Sequence, residues 1–206
     1  MNALGCVVTV DELADHLLDP DWAIVDCRFS LDDPSRGERE YLTGHIAGAL
    51  YAHLERDLSA PHVPGRTGRH PLPDAPGLAE RFGAWGVDAD VTVVAYDDSA
   101  GAMAARLWWL LRWLGHEAAA VLDGGWQAWT SDARPVEAGP RNRPATCFVP
   151  RPRPDTVLDA AAVALAAADP TWRILDARAS DRYLGLNETI DAVAGHIPGA
   201  RSAPWM

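Results

Sequence analysis

Two charged triplets and two histidine motifs carry most of the chemistry that this sequence offers. DCR at 26–28 and DAR at 176–178 each place a carboxylate two positions before a guanidinium, after a short apolar run. GHIAGA at 44–49 and GHIPGA at 195–200 follow in the same order, so the two sets repeat at offsets of 150 and 151. For the triplets we favour strand-end ion pairs over ligand binding. For His45 and His196 we favour a structural hydrogen bond over catalysis, because both copies keep the motif.

The turn after the clearest strand decides what the first copy can do. Residues 91–96 (VTVVAY) are apolar on both faces, which is typical of a central strand in a parallel sheet. Such sheets bind ligands where a strand turns into a helix N-terminus, whose N–H groups suit an anion. Here the turn opens with Asp97, which is no sulfur nucleophile and repels anions, so the first copy is predicted to be catalytically silent. At the same offset of 150, the second turn would fall at position 247, beyond Met206.

The cysteines offer no replacement for that nucleophile. Cys6, Cys27 and Cys147 are odd in number and unevenly spaced, which fits neither a disulfide framework nor a zinc site. We therefore expect reduced thiols and predict no metal and no cofactor. Cys27 corresponds to Ala177 in the second copy, and the other two lie in a terminal arm and a predicted linker. None of the three is expected to be a catalytic nucleophile.

The charge of the chain limits its partners. There are 18 basic residues, all of them Arg, against 29 acidic ones, and the net charge is −11. An acidic surface repels phosphate backbones and anionic lipids, so we predict no nucleic-acid and no membrane partner. The N-terminus shows no export signal, which favours a cytoplasmic protein. The apolar stretch 103–114 is too short to span a bilayer and is predicted to be a buried helix.

The elements that must position these residues alternate between strands and helices. Apolar runs predict strands at 22–26, 50–53, 91–96 and 119–122 and helices at 77–85 and 102–114. This alternation predicts an α/β fold with a parallel sheet covered by helices on both faces. We predict a first domain over 1–133, a Pro/Arg-rich extended linker over 134–155 and an incomplete second copy over 156–206. Thr9 and Thr156 are predicted helix caps, with Asp159 in the first turn after Thr156.

These motifs resemble those of the rhodanese family. The Asp-x-Arg and GHIxGA motifs are similar to the entry motifs of rhodanese domains, and ARLWW at 105–109 with VLDGGW at 121–126 resembles the first domain of tandem-domain sulfurtransferases. The resemblance implies transfer of a sulfane sulfur from thiosulfate or 3-mercaptopyruvate to cyanide or a thiol. The carrier would be a persulfide on a cysteine of the second domain's turn, which this chain lacks, so the chain is expected to be truncated. The partners would be a small anionic sulfur donor and a thiol or cyanide acceptor.

The resemblance also implies roles for four residues. Arg182 matches the position that contacts the anionic substrate, Asp57 and His70 are similar to first-domain residues that approach the active site, and Asp97 takes the silent nucleophile position. The competing interpretations are a loop ion pair between Arg182 and Asp181, and ordinary loop polarity for Asp57 and His70. A non-catalytic binding or regulatory module stays open as the alternative function. A cysteine phosphatase does not fit, because the first copy has no cysteine in its turn. The oligomeric state stays open.

Overall fold

The computed structural model describes residues 5–205, which form two compact units. The first unit ends at Arg153 and the second begins at Pro154. Both are built from short strands and helices. The predicted linker over 134–155 therefore falls almost entirely within the first unit.

The first unit is built on a parallel sheet of five strands. Its spatial order is β1-β6-β5-β2-β4, and every neighbouring pair runs parallel. The α/β prediction is therefore confirmed, and the long central strands match the apolar runs of the sequence. The strands of this sheet are β1 (Val7–Val8), β2 (Trp22–Asp26), β4 (Leu50–Tyr51), β5 (Thr92–Tyr96) and β6 (Ala119–Leu122).

Helices cover both faces of this sheet. Alternate residues of a strand point to opposite faces, so Ala23 and Val25 face one core and Ile24 faces the other. Leucines and Phe82 of two helices fill the first core, and Leu13 and Trp129 of two others fill the second. The helices of the unit are α1 (Val10–Asp15), α2 (Arg36–Thr43), α3 (Leu54–Asp57), α4 (Ala75–Ala84), α5 (Ala104–Trp113) and α6 (Gly125–Ser131).

The Pro/Arg-rich segment packs on the first unit. It contributes β7 (Val136–Glu137), which pairs antiparallel with β3 (His45–Ile46). Further along, Phe148 is buried against the core, and the N–H of Arg151 donates to the carbonyl of Leu114 at 2.7 Å. Proline removes donors only at its own positions, so the residues between the prolines remain able to bond the unit's surface.

One of the two predicted helix caps is correct. Thr9 Oγ1 accepts from the N–H of Glu12 at 3.2 Å and caps α1. The Thr156 prediction is wrong, because Thr156 ends a 3₁₀ turn (Pro154–Thr156). Asp159 caps α7 (Ala160–Ala168) instead, and its Oδ1 accepts from the N–H of Ala162 at 2.8 Å. A cap must directly precede the first helical residue for its side chain to reach the third N–H.

The second unit repeats one strand pair of the first unit, β2 with β4. It contains α7, β8 (Leu175–Asp176), α8 (Ser180–Tyr183) and β9 (Arg201–Ser202). Strands β8 and β9 pair parallel, with Asp176 opposite Ser202, just as Asp26 in β2 lies opposite Tyr51 in β4. Within residues 5–205 there is no helix long and apolar enough to cross a membrane.

Candidate functional site

The candidate site lies at the carboxyl edge of the first unit's sheet. Strands β2, β4 and β5 run parallel and end at the same edge, so the residues that follow them meet there. Arg28 follows β2, His53 follows β4 and Asp97 follows β5. Polar residues that are far apart in the sequence therefore lie at the same edge of the sheet.

Asp97 fills a cradle of backbone N–H groups at this edge. Its Oδ1 accepts from Ser99 and Gly101 at 2.8 and 2.9 Å, and its Oδ2 accepts from Met103 and Ala104 at 2.7 and 2.8 Å. The loop winds around the carboxylate with Gly101 at φ +84°, a conformation that favours glycine. The carboxylate is almost fully buried. The cradle is shaped for one anionic group, and the chain's own carboxylate occupies it.

A buried ion pair lies at the end of β2. Arg28 donates Nε and Nη2 to the Asp26 carboxylate at 2.6–3.1 Å, and its Nη2 also donates to the carbonyl of Gly44 at 2.7 Å. The hydroxyl of Tyr96 donates to Asp26 at 2.7 Å, and the ring of Trp126 lies 4.3 Å from the guanidinium. The predicted strand-end ion pair is thus confirmed. Burial raises the pKa of Asp26 against the opposing effect of these donors.

His45 makes structural contacts, as predicted. Its Nδ1 lies 2.8 Å from the carbonyl of Tyr41, and the two rings stack with centroids 4.1 Å apart. The hydroxyl of Tyr41 donates to the carbonyl of Ala49, which closes the GHIAGA turn. His45 is fully buried, so it cannot reach a substrate at the surface.

Asp57 is tied into the fold. Its Oδ1 accepts from Arg81 Nη1 at 2.5 Å and its Oδ2 accepts from the N–H of His53 at 2.8 Å. Arg56 lies 3.4 Å from the same carboxylate. The carboxylate is buried and serves as the anchor of α3, so a role towards a substrate stays a prediction.

His70 lies on the long loop beside the same helix. Its Nε2 is 3.6 Å from Glu55 Oε1, and its ring meets the edge of Phe29 with centroids 6.3 Å apart. Burial lowers the pKa of His70, which keeps the imidazole neutral near pH 7. His70 and Asp57 therefore have separate partners: Glu55 and Phe29 for His70, and Arg81 and the N–H of His53 for Asp57.

Arg106 holds the loop that carries His70. Its Nε donates to the carbonyl of Leu58 at 3.2 Å, and its Nη2 donates to those of His70 and Pro71 at 3.0 and 3.2 Å. Burial lowers the pKa of this guanidinium. Sequence reasoning missed this role, although a charged residue in the first turn of an apolar helix was the available signal.

The second unit rebuilds the same hydrogen bonds around its own triplet. Arg178 donates Nε and Nη2 to Asp176 at 2.6–3.1 Å, and Nη2 donates to the carbonyl of Gly195 at 2.6 Å. His196 Nδ1 lies 2.7 Å from the carbonyl of Tyr183, and the rings stack 3.8 Å apart. The predictions of an ion pair and a structural histidine are confirmed here too.

Arg182 stands next to this frame and is paired within the unit. Its Nε and Nη2 donate to the Glu188 carboxylate at 3.0–3.1 Å, and its Nη2 donates to Asp191 at 2.6 Å. Asp181, the partner considered from sequence, accepts from the backbone N–H of Arg182 and from the side-chain amide of Asn187, and no hydrogen bond joins it to the Arg182 guanidinium. The contact of Arg182 with a substrate remains a prediction.

One cysteine is buried and two are exposed, and Cys147 lies in the Pro/Arg-rich segment that packs on the first unit rather than in a free linker. Cys27 is buried, and burial raises the pKa of its thiol well above the usual value. Cys6 and Cys147 are exposed and unpaired with one another. Among residues 5–205 there is no group of three side chains suited to a metal ion.

Comparison with known proteins identifies the family. The family model described as "Rhodanese-like domain" matches residues 9–132. The chain belongs to the rhodanese family. A Pseudomonas aeruginosa protein named a probable 3-mercaptopyruvate sulfurtransferase is 48% identical over 200 residues, which are 97% of this chain and 70% of that protein. A Mycobacterium tuberculosis relative whose name assigns it to the thiosulfate sulfurtransferases is 40% identical, over 99% of this chain and 72% of its own length.

A solved structure agrees with this assignment. The 3-mercaptopyruvate sulfurtransferase from Leishmania major superposes with a TM-score of 0.84 at 34% identity. The alignment covers 96% of this rhodanese chain and 54% of the Leishmania chain. The chain thus spans about half of that protein and about seven tenths of the two relatives above.

Proposed function

We propose that this chain supplies the non-catalytic first domain and the substrate-facing start of the second domain of a sulfurtransferase. The enzyme moves a sulfane sulfur from thiosulfate or 3-mercaptopyruvate to a thiol or cyanide. A cysteine thiolate attacks the donor's transferable sulfur and becomes a persulfide. The S–S bond of thiosulfate breaks and sulfite leaves, or the C–S bond of 3-mercaptopyruvate breaks and the leaving enolate takes up the thiol proton to become pyruvate. The acceptor then takes the outer sulfur and releases the thiolate. None of the chain's three cysteines carries the persulfide.

The occupied Asp97 cradle is the observation that carries this proposal. Four backbone N–H groups donate to the Asp97 carboxylate. The same donors would lower the pKa of a thiol at this position, because they stabilise its thiolate. In the first unit a carboxylate takes that place, so the unit cannot form a persulfide there. The second unit repeats the hydrogen bonds of Asp26, Arg28 and His45 in the first, with Asp176, Arg178 and His196 in the matching positions.

The roles of three further residues follow from this proposal. In this proposal Arg182 contacts the anionic group of the sulfur donor, and Asp57 and His70 assist the transfer. The neutral imidazole of His70 suits proton transfer near pH 7. Cytoplasmic location stays a prediction from the N-terminal sequence.

Sulfur loading tests the proposal directly. The 206-residue chain is incubated with thiosulfate or 3-mercaptopyruvate, and intact mass spectrometry is used to look for the gain of one sulfur atom. We expect no gain and no thiocyanate on addition of cyanide. A persulfide on Cys6, Cys27 or Cys147 with thiocyanate formation would show that the nucleophile is misassigned.

A fusion protein tests whether sulfur transfer occurs when a second segment follows this chain. The chain is extended at Met206 by the part of the Pseudomonas relative that lies outside the aligned region. We expect the fusion to form thiocyanate from at least one of the two donors. A folded fusion that transfers sulfur from neither donor would favour the non-catalytic binding module instead.

A further inference from the structure

The carboxylate next to the His70 ring belongs to Glu55. Glu55 Oε1 lies 3.6 Å from His70 Nε2, and the two side chains are 52% and 21% exposed, respectively. Glu55 and Asp57 both belong to α3, but residues two positions apart on a helix lie on different faces. The carboxylate that flanks His70 is therefore a residue that the sequence analysis did not single out.

Asp57 has both carboxylate oxygens engaged elsewhere. Its Oδ1 accepts from Arg81 Nη1, and its Oδ2 accepts from the N–H of His53, the residue before α3. Arg56 lies 3.4 Å from the same carboxylate, and the side chain of Asp57 is buried. Asp57 therefore anchors α3 on the first unit.

The backbone of Glu55 is fixed by the cap of the same helix. The N–H groups of Glu55 and Arg56 both donate to His53 Nδ1 at 3.2 Å. The ring of His53 also meets the ring of Phe29, with centroids 5.2 Å apart, and Phe29 in turn meets the ring of His70. The first turn of α3 therefore has a defined position beside His70.

The backbone of His70 is fixed from a different helix. His70 has φ +52°, a left-handed conformation that is uncommon for residues other than glycine. Arg106 of α5 donates from Nη2 to the carbonyls of His70 and Pro71 at 3.0 and 3.2 Å. The N–H of Ala60 also donates to the carbonyl of Pro71, at 2.9 Å, and closes the base of the loop. Strained conformations persist where surrounding contacts hold them, and they cluster at functional sites.

Charged groups from three elements act on the imidazole. Burial lowers the pKa of His70, the Glu55 carboxylate on α3 raises it, and the guanidinium groups of Arg69 on the loop and Arg106 on α5 lower it. The other titratable ring in this cluster, His53, accepts two helix N–H groups through Nδ1. Glu55 thus opposes the other effects, so its loss should lower the pKa of His70 further.

We propose that Glu55 is the positioning residue of His70. Its carboxylate holds the Nε2 side of the ring, and Nδ1 is the nitrogen left for proton transfer in the proposed reaction. Catalytic hydrogen bonds are often long in the absence of substrate and shorten when it binds, so a separation of 3.6 Å suits this role. Asp57 then assists only by anchoring α3, the helix that carries Glu55. This inference rests on the proposed role of His70.

Imidazole NMR on the whole 206-residue chain tests this inference. The Cε1–Hε1 signal of His70 is assigned once through its loss in His70→Gln and is then followed through a pH titration in variants that keep His70. For Glu55→Gln we expect the midpoint to fall by about 0.2–0.7 pH units, as loss of a half-exposed ion pair implies. The Hε1 shift of the neutral ring should also change, because the ring current of Phe29 depends on how the imidazole is oriented.

Glu80→Gln is the matched control. Glu80 is exposed on α4, and its replacement removes the same charge. We expect both readouts to match those of the wild type. Equal changes in Glu80→Gln and Glu55→Gln would reduce the effect to net charge and overturn the inference. An unchanged midpoint in Glu55→Gln would overturn it as well.

Asp57→Asn separates the two carboxylates of α3. On its own this change loosens the helix and can move Glu55, so it is also made in the Glu55→Gln background. In that background we expect no further change in the midpoint of His70. A further fall would show that Asp57 acts on His70 directly and would contradict the assignment of Glu55.

Sulfur transfer by the fusion protein separates this inference from the proposed function. We expect Glu55→Gln to lower kcat about tenfold at an unchanged KM for the donor, with no further loss when it is combined with His70→Gln. Losses that multiply in the double variant would show that Glu55 acts independently of His70 and would overturn the inference. An unchanged kcat in His70→Gln contradicts the proposed role of His70 in the reaction, whereas the NMR titration alone decides whether Glu55 positions the ring.

Discussion

The triplets of the two units form the same hydrogen bonds in different surroundings. In each, the arginine donates through Nε and Nη2 to an aspartate two positions earlier and through Nη2 to the glycine carbonyl that opens the GHIxGA motif. The Asp26–Arg28 pair is buried beneath Tyr96 and Trp126, whereas the Arg178 side chain is 30% exposed. The local geometry therefore follows from the motif, and the environment follows from the elements packed around it.

This difference reverses the electrostatics of one motif. Burial dominates at Asp26 and raises its pKa, whereas the hydrogen bond from Arg178 dominates at Asp176 and lowers its pKa. The same pair is thus a costly buried charge in one unit and an ordinary surface ion pair in the other. A repeated sequence motif can therefore differ in its energetics between the two units.

The largest expected effect is the difference in stability lost when Arg28 or Arg178 is replaced. Arg28→Met leaves the Asp26 carboxylate buried without its counter-ion, so we expect the first unit to lose about 3–5 kcal/mol of stability. Arg178→Met should cost the second unit about 1 kcal/mol or less, because water can replace the guanidinium. Amide hydrogen exchange in β5 and in β8 measures the two units separately. The double variant Asp26→Asn/Arg28→Met should recover part of the loss, and equal losses in both units would contradict the comparison.

The next effect concerns the occupied cradle, which only the first unit shows. Asp97→Ala removes the acceptor of four N–H groups, and we expect a loss of about 2–4 kcal/mol in the free energy of unfolding by urea. Asp123→Ala is the matched control, because Asp123 also follows a strand of the sheet but is exposed. It should change stability by less than about 0.5 kcal/mol. If both variants were equally stable, the cradle would not depend on its carboxylate.

The third prediction compares the thiol pKa of a cysteine introduced into the cradle with that of Cys27. In a chain with Cys6→Ser and Cys147→Ser, Asp97→Cys places a thiol among N–H donors, so we expect its pKa below the usual value of about 8.5. The pH dependence of alkylation by iodoacetamide, followed by peptide mapping, gives that pKa. Cys27 is the internal control and should stay unmodified near pH 7, because burial raises its pKa. An introduced thiol as inert as Cys27 would show that the cradle does not stabilise a thiolate.

The smallest effect is the opposite acid titration of the two aspartates. Carboxyl-carbon NMR shifts should give a midpoint above 3.8 for Asp26 and below 3.8 for Asp176. By linkage, the stability that Asp176 contributes is present above its unfolded pKa and is lost as pH falls through its folded pKa. The contribution of Asp26 has the opposite sign, because it is present below the unfolded pKa and is lost as pH rises through the folded pKa. If the titration midpoints of Asp26 and Asp176 lay on the same side of 3.8, the predicted opposite pKa shifts would be wrong.

Much of the candidate site follows from the sequence because its contacts are local. A carboxylate and a guanidinium two positions apart after a strand can reach each other without any other element, and both triplets do. The parallel sheet follows from apolar runs such as residues 92–96, and the duplication follows from the motif order. Asp97 at the turn after β5 was also evident, since a strand end and a helix start bracket it in the chain.

The tertiary structure alone decided the features that join distant parts of the chain. Arg106 reaches loop carbonyls at Leu58 and His70, and no pattern in the sequence pairs these positions. The guanidinium of Arg182 pairs with Glu188, six positions further along the chain, rather than with the adjacent Asp181, because the chain after Arg182 folds back towards it. Burial likewise depends on all the packed elements together. The sequence therefore determined which groups form the two charged pairs, and only the fold decided that one pair is buried and the other meets water.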